Sequence, residues 1–185
     1  MIDMLYTFLK KIIPIFIIFV TLYTLVFLVY IGGMRTTSYL IEQKALEIKE
    51  RSINDYDFTN NVKVWVYKRV QTSPIYKGTP EIRPPEMAYL TGGGDCSERA
   101  LLITRMLNDG GIEAHPIYGA VGPEEHESVE YLINRTTHRI DEKEFPNFVK
   151  HGDGIHPIEY IYDVYWFLDW KTVMGLNKSN KQWKY

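Results

Sequence analysis

A single cysteine in 185 residues removes several architectures at once. Cys96 has no partner for an internal disulfide, so the fold must rest on a buried core, and a zinc site built from several cysteines is ruled out. Metal-ligand spacing is missing as well. His115, His126, His138, His151 and His156 stand singly, with no His-Glu-x-x-His pattern, and no metal or other cofactor is expected. Neither sign of charge dominates: 21 lysines and arginines face 23 aspartates and glutamates, for a formal net charge of −2. That balance argues against a surface that tracks phosphates, so four tryptophans and fourteen tyrosines are read as core and groove walls and no nucleic-acid partner is expected. The glycines of Gly92-Gly93-Gly94 are not followed by Gly-Lys-Ser or Gly-Lys-Thr, which excludes a phosphate loop.

Charge is absent altogether from Ile12 to Met34. The stretch from Ile12 to Ile31 is apolar and long enough for a hydrocarbon core of about 30 Å, so it is expected to be one transmembrane helix in contact with membrane lipid. A cleaved signal peptide is the rival reading. Its apolar region is usually about 7 to 15 residues, however, and Tyr30 to Arg35 offers no clear small-x-small cleavage site. Lys10 and Lys11 precede the span and Arg35 follows it; weighting the nearest charges puts the N-terminus inside and the rest of the chain outside the cytoplasm. Three segments result: residues 1–34 as tail and membrane helix, 35–54 as an amphipathic connector with Leu40, Ile41, Ala45, Leu46 and Ile48 at helical spacing, and 55–185 as the folded domain. About 130 residues suffice for one core. The proline-rich segment from Pro74 to Pro85 is expected to be a loop framing the groove.

Chemistry concentrates where the glycines meet an apolar run. Asp95-Cys96-Ser97-Glu98 leads into Leu101, Leu102, Ile103, Met106 and Leu107, a helix expected to stop at Asp109-Gly110-Gly111. Cys96 then occupies the first turn, where unsatisfied N–H groups and the positive dipole end favour thiolate over thiol, below the free value of roughly 8.5. A buried structural cysteine is the alternative, because free cysteine is among the most buried residue types. The aspartate and glycines before Cys96 favour a turn that presents the side chain at a cleft. Downstream, Ile112 to Gly122 reads as a strand, and Glu124 to Ile133 as another, with Val129, Tyr131 and Ile133 on one face and His126, Ser128 and Glu130 on the other.

In order, Val62-Lys-Val-Trp-Val-Tyr67, Gly94-Asp95-Cys96, Leu101 to Leu107, Gly111-Ile112 and His126-Glu-Ser-Val-Glu130 resemble the transglutaminase-like superfamily of papain-fold cysteine enzymes. The chain departs from that pattern at Ser128, where the family often has an aromatic, and in lacking a proline after either candidate aspartate. The resemblance implies an α+β fold, with the cysteine helix packed on a small antiparallel sheet behind the membrane helix. It also implies a Cys–His–Asp triad in which Cys96 attacks, His126 moves protons and an acid orients the imidazole. Two acids fit. If Asn134-Arg135 is a two-residue hairpin loop, Asp141 falls opposite Ser128 on the face of His126, one diagonal step away; a three-residue loop reverses the faces. Asp169, in Tyr165-Trp-Phe-Leu-Asp169-Trp170, has the aromatic flavour the family often shows, but about thirty residues must loop out to bring it there, so Asp141 is favoured. The function expected is a cysteine hydrolase cutting an amide, peptide or isopeptide bond of a peptide or protein substrate, for instance in the cell envelope. Transfer of the acyl group to an amine and a catalytically idle scaffold domain are the alternatives.

Overall fold

The computed structural model describes residues 2–72 and 83–154. Helix α1 runs from Ile2 to Arg51 with Pro14 inside it, and the chain divides into one unit up to Thr36 and a second, compact unit from Thr37 onwards. In the first unit, side chains such as Ile15, Phe16, Phe19, Leu25 and Val29 are exposed, and the stretch from Ile12 is long and apolar enough to cross a membrane by length and composition. From Thr37 the pattern changes. Ile41, Ala45 and Ile48, spaced for one helix face, are buried in the core of the second unit.

Helix α2 (Asp55–Arg69) starts where the Asn54 side chain accepts a bond from the Asp57 N–H at 2.9 Å, with Asp55 and Asp57 in the first turn and Lys68 and Arg69 in the last. Phe58, Val62 and Val66 recur every four residues and are wholly buried. Strand β1 (Gln71–Thr72) pairs in parallel with β2 (Gly93–Gly94), and between them α3 (Pro85–Thr91) opens on a proline and closes on Gly92 at φ 67°, a left-handed cap that favours glycine. Helix α4 (Cys96–Asp109) follows immediately.

The remaining strands are β3 (Glu113–Val121), β4 (Glu124–Ile133), β5 (Thr136–Arg139) and β6 (Phe148–Asp153). They form one antiparallel sheet in the order β5-β4-β3-β6. Helix α4 packs against β3 and β4, closing a core that includes Leu102, Ile103, Met106, Leu107, Ala114, Val129 and Ile133. This is the expected α+β arrangement, a cysteine-bearing helix on a small antiparallel sheet.

The hairpin between β4 and β5 sets the geometry of the site. Ile133 pairs with Thr136, so the loop is Asn134-Arg135 alone, and both residues adopt positive φ (52° and 64°), as a two-residue turn matching the strand twist requires. The register runs on past the strand end, where the Ile140 N–H donates to the Val129 carbonyl at 3.0 Å. Asp141 therefore lies opposite Ser128 and on the face of His126.

Candidate active site

Cys96 is the first residue of α4, and its position is held from several sides. Asp95 caps the helix, its Oδ1 accepting from the Ser97 N–H at 2.9 Å, while Glu98 reaches back so that its Oε2 accepts from the Asp95 N–H at 2.9 Å. Glu98 also accepts from Arg83 Nε at 3.2 Å. On the far side, Arg99 Nε donates to the Val70 carbonyl at 3.0 Å and its guanidinium lies 5.0 Å from the centre of the Tyr67 ring. The thiol therefore sits on a fixed helix start.

Glu98 is 3% exposed. Burial pushes its carboxyl up to about 7, helped by the neighbouring Asp95 side chain and opposed by Arg83. Because the folded value lies above the unfolded one of 4.5, the folded state holds this proton more tightly, and the group's contribution to stability declines as pH rises from about 4.5 through 7. Replacing Glu98 by Ala removes half of the capping box, and about 1 to 3 kcal/mol of stability should go with it. Thermal unfolding of parent and variant checks this, and the gap should be wider at pH 5 than at pH 8.

His126 and Asp141 are joined directly. His126 Nε2 lies 2.6 Å from Asp141 Oδ2, so with a proton on Nε2 the ring donates to the carboxylate and presents Nδ1 for proton transfer. Asp141 is 1% exposed. Its other oxygen, Oδ1, accepts from the Ser128 hydroxyl at 2.6 Å and from Arg139 Nε at 2.9 Å. Burial alone would push this carboxyl up; the bonds from His126, Ser128 and Arg139 and the charge on His126 outweigh it and hold Asp141 below the usual aspartate value. Phe145 packs on the imidazole with ring centres 4.5 Å apart, and Phe148 approaches it edge-on at 6.1 Å.

Cys96 and His126 line one pocket of about 170 Å³, together with Ser97, Tyr118, Gly119, Glu125 and Glu127. Three of the residues singled out in the sequence thus meet in a continuous array: Cys96 and His126 through the pocket, His126 and Asp141 through a hydrogen bond. Asp169 and most of the Pro74 to Pro85 segment lie outside the described residues. Ser128, Arg139, Phe145 and Phe148 were not singled out for the site. Only Ser128 carried a signal, since it shares the polar face of β4 with His126.

Elsewhere among the described residues, His115, Glu130 and Asp153 bring ligating atoms within 4.8 Å of one another. Lys150 Nζ, 2.5 Å from Glu130 and 2.6 Å from Asp153, already supplies a cation to that cluster. His138 stacks on Tyr131 and shares a 3.2 Å hydrogen bond with the Tyr56 hydroxyl, a structural role.

No protein-family model matches the chain, and no curated protein matches it. Among solved structures, a proposed cysteine protease from Cytophaga hutchinsonii superposes with a TM-score of 0.56 at 18% identity, over 63% of this chain and 42% of that one. The fold is that of the papain-like cysteine proteases. This chain accordingly spans less than half the length of that relative. A proposed protease from Parabacteroides distasonis (TM-score 0.46, 17% identity, 59% of this chain and 26% of that one) and Legionella pneumophila LapG (0.45, 12%, 65% and 81%) are also similar. In the papain-like fold described here, the helix start that carries Cys96 and the strand that carries His126 wall the same cavity.

Proposed function

We propose that the protein is a membrane-anchored cysteine hydrolase that cuts an amide, peptide or isopeptide bond with Cys96, His126 and Asp141 as its triad. The observation that supports this most strongly is that His126, hydrogen-bonded through Nε2 to a buried aspartate, lines the pocket of a cysteine at a helix N-terminus. The residues 1–34 serve as tail and anchor, 35–54 as connector and 55–185 as catalytic domain, with the domain on the extracytoplasmic side.

In this reading His126 Nδ1 takes the thiol proton and the Cys96 thiolate attacks the carbonyl carbon, forming a C–S bond and an oxyanion. Amide N–H groups at the start of α4 point out of the helix and offer one donor to that oxygen. Collapse breaks the C–N bond as the imidazolium gives its proton to the leaving amine. Water, deprotonated by His126, then attacks the thioester, releasing the acid and restoring the thiol. Asp141 keeps the Nε2 proton in place and balances the imidazolium charge throughout.

The test is the rate of iodoacetamide alkylation of Cys96 against pH, on the full chain in detergent micelles and on its His126→Ala variant. The parent should react well below pH 8.5, and the variant should move towards ordinary thiol behaviour. Coincident curves rule out the thiolate–imidazolium pair. Mass spectrometry of peptide products formed with and without added primary amine separates hydrolysis from acyl transfer, and a thiol that alkylates normally without any product formation describes an idle domain.

A further inference from the structure

We propose that Arg139 is a positioning residue that acts through Asp141, sharing the carboxylate's charge and thereby setting the pH range over which His126 keeps its proton. The inference rests on the triad reading above and concerns a residue outside that triad.

The geometry is specific. Arg139 Nε donates to Asp141 Oδ1 at 2.9 Å while His126 meets Oδ2 at 2.6 Å, so one buried carboxylate bridges two basic groups. Arg139 is itself largely covered, with 15% of its side chain exposed. A second nitrogen of the guanidinium donates to the Phe145 carbonyl, and its carbon lies 4.6 Å from the centre of the Phe148 ring. These are the two aromatics that pack on His126. A permanent cation so placed opposes the imidazolium in two ways: it neutralises part of the Asp141 charge, and it repels the second cation directly. Ser128 differs in kind. Its hydroxyl bonds the same Oδ1 at 2.6 Å but brings no charge.

Other ionisable groups face this cluster from α2, α4, β3 and β4, and His151 of β6 packs edge-on against Tyr118. Helix α4 presents Cys96, and strands β3 and β4 present Tyr118, Glu125 and Glu127 to the pocket. From α2 come Tyr67, whose hydroxyl is held above its usual value by burial and by the charge of Asp141, and Lys63, paired with Glu144. None of these shares a hydrogen bond with the Asp141 carboxylate, whereas Arg139 does. Its effect on His126 should therefore be separable from theirs.

The experiment follows the His126 ring proton by NMR through a pH titration in full-length Cys96→Ala protein in micelles, with Arg139→Gln, Arg139→Lys and Ser128→Ala added one at a time. Arg139→Gln should move the imidazolium's loss of its proton up by about one pH unit, because the aspartate then faces His126 alone. Arg139→Lys, which keeps the charge, and Ser128→Ala, which never touched it, should both stay within about 0.3 units. Melting curves establish that each variant is folded. An unmoved or lowered titration in Arg139→Gln overturns the proposal, and so does an equal shift in Arg139→Lys, which would make the role one of packing. Should Arg139→Gln not fold, the Lys variant decides: parental titration supports the charge role and a shift of half a unit or more rejects it. Because the thiol is absent here, failure of the triad reading appears separately, in the alkylation profile of the parent.

Discussion

Asp141→Asn is expected to lower amide hydrolysis by about a thousandfold to ten-thousandfold, although the side chain keeps its size and shape. The reason is a conflict over one oxygen. Asp141 accepts on both sides, from His126 at Oδ2 and from Ser128 and Arg139 at Oδ1. Asparagine has a single acceptor oxygen, and two donors, one of them permanently charged, claim it on the Oδ1 side. The amide nitrogen then faces His126 Nε2, which must become an acceptor, and the ring proton moves to Nδ1. An imidazole in that tautomer cannot take a proton from Cys96. Hydrolysis of a library of peptidyl-aminomethylcoumarins by the full-length protein measures the effect, with melting curves confirming the fold. Asp169→Asn should change the rate by less than about tenfold on the same scale. The reverse order would reassign the orienting acid.

The same carboxylate links the site to stability. Its folded value lies below the unfolded one of 3.8, so its contribution is fully present above about pH 4 and is lost as acid protonates it. Asp141 thus stays ionised throughout the range in which a cysteine–histidine pair titrates.

Gly119→Ala should cost about 3 kcal/mol and disable the site as well. An alanine Cβ there would fall 2.2 Å from the Val149 carbonyl oxygen and 2.6 Å from the Phe148 ring. A flexible side chain could swing aside, but a strand carbonyl moves only if the strand moves. Gly119 stands at the irregularity between Tyr118 and Gly119 where β3 pairs with β6, so β6 must separate from its neighbour. Phe148, the first residue of β6, packs against both His126 and the Arg139 guanidinium, and the displacement therefore reaches the imidazole. Thermal unfolding reads the stability loss, and slower alkylation of Cys96 at pH 6 reads the disturbed site. A variant that melts with the parent would mean that β6 does not approach β3 this closely.

Much of this was legible because it is local. The glycines and Asp95 before Cys96, the apolar run from Leu101 to Leu107 and the stop at Asp109-Gly110-Gly111 mark the helix start within a few residues of sequence, and the structure places it at Cys96. The alternation along β4 likewise separated the core face of Val129 and Ile133 from the polar face of His126 and Ser128. The hairpin was harder. Whether its loop has two residues or three depends on Asn134 and Arg135 both adopting positive φ, natural for asparagine and unfavourable for arginine, and that choice decides which face Asp141 occupies. Arg139 carried no signal at all. Its bond to a residue two positions away forms only because the chain leaves the strand at Ile140 and turns back over the imidazole through Phe145.

From composition and periodicity alone follow the reliance on a disulfide-free core, the long uncharged N-terminal stretch, the helix that opens on Cys96 and the strand that opens near His126. These are properties of backbone propensity and side-chain spacing, which act over a few residues. The shared pocket is of another kind: thirty residues separate Cys96 from His126, and they meet only because α4 lays its apolar face on β3 and β4. The choice of three partners around one buried carboxylate was also made there, since a charge excluded from water takes whatever donors the packing brings within reach.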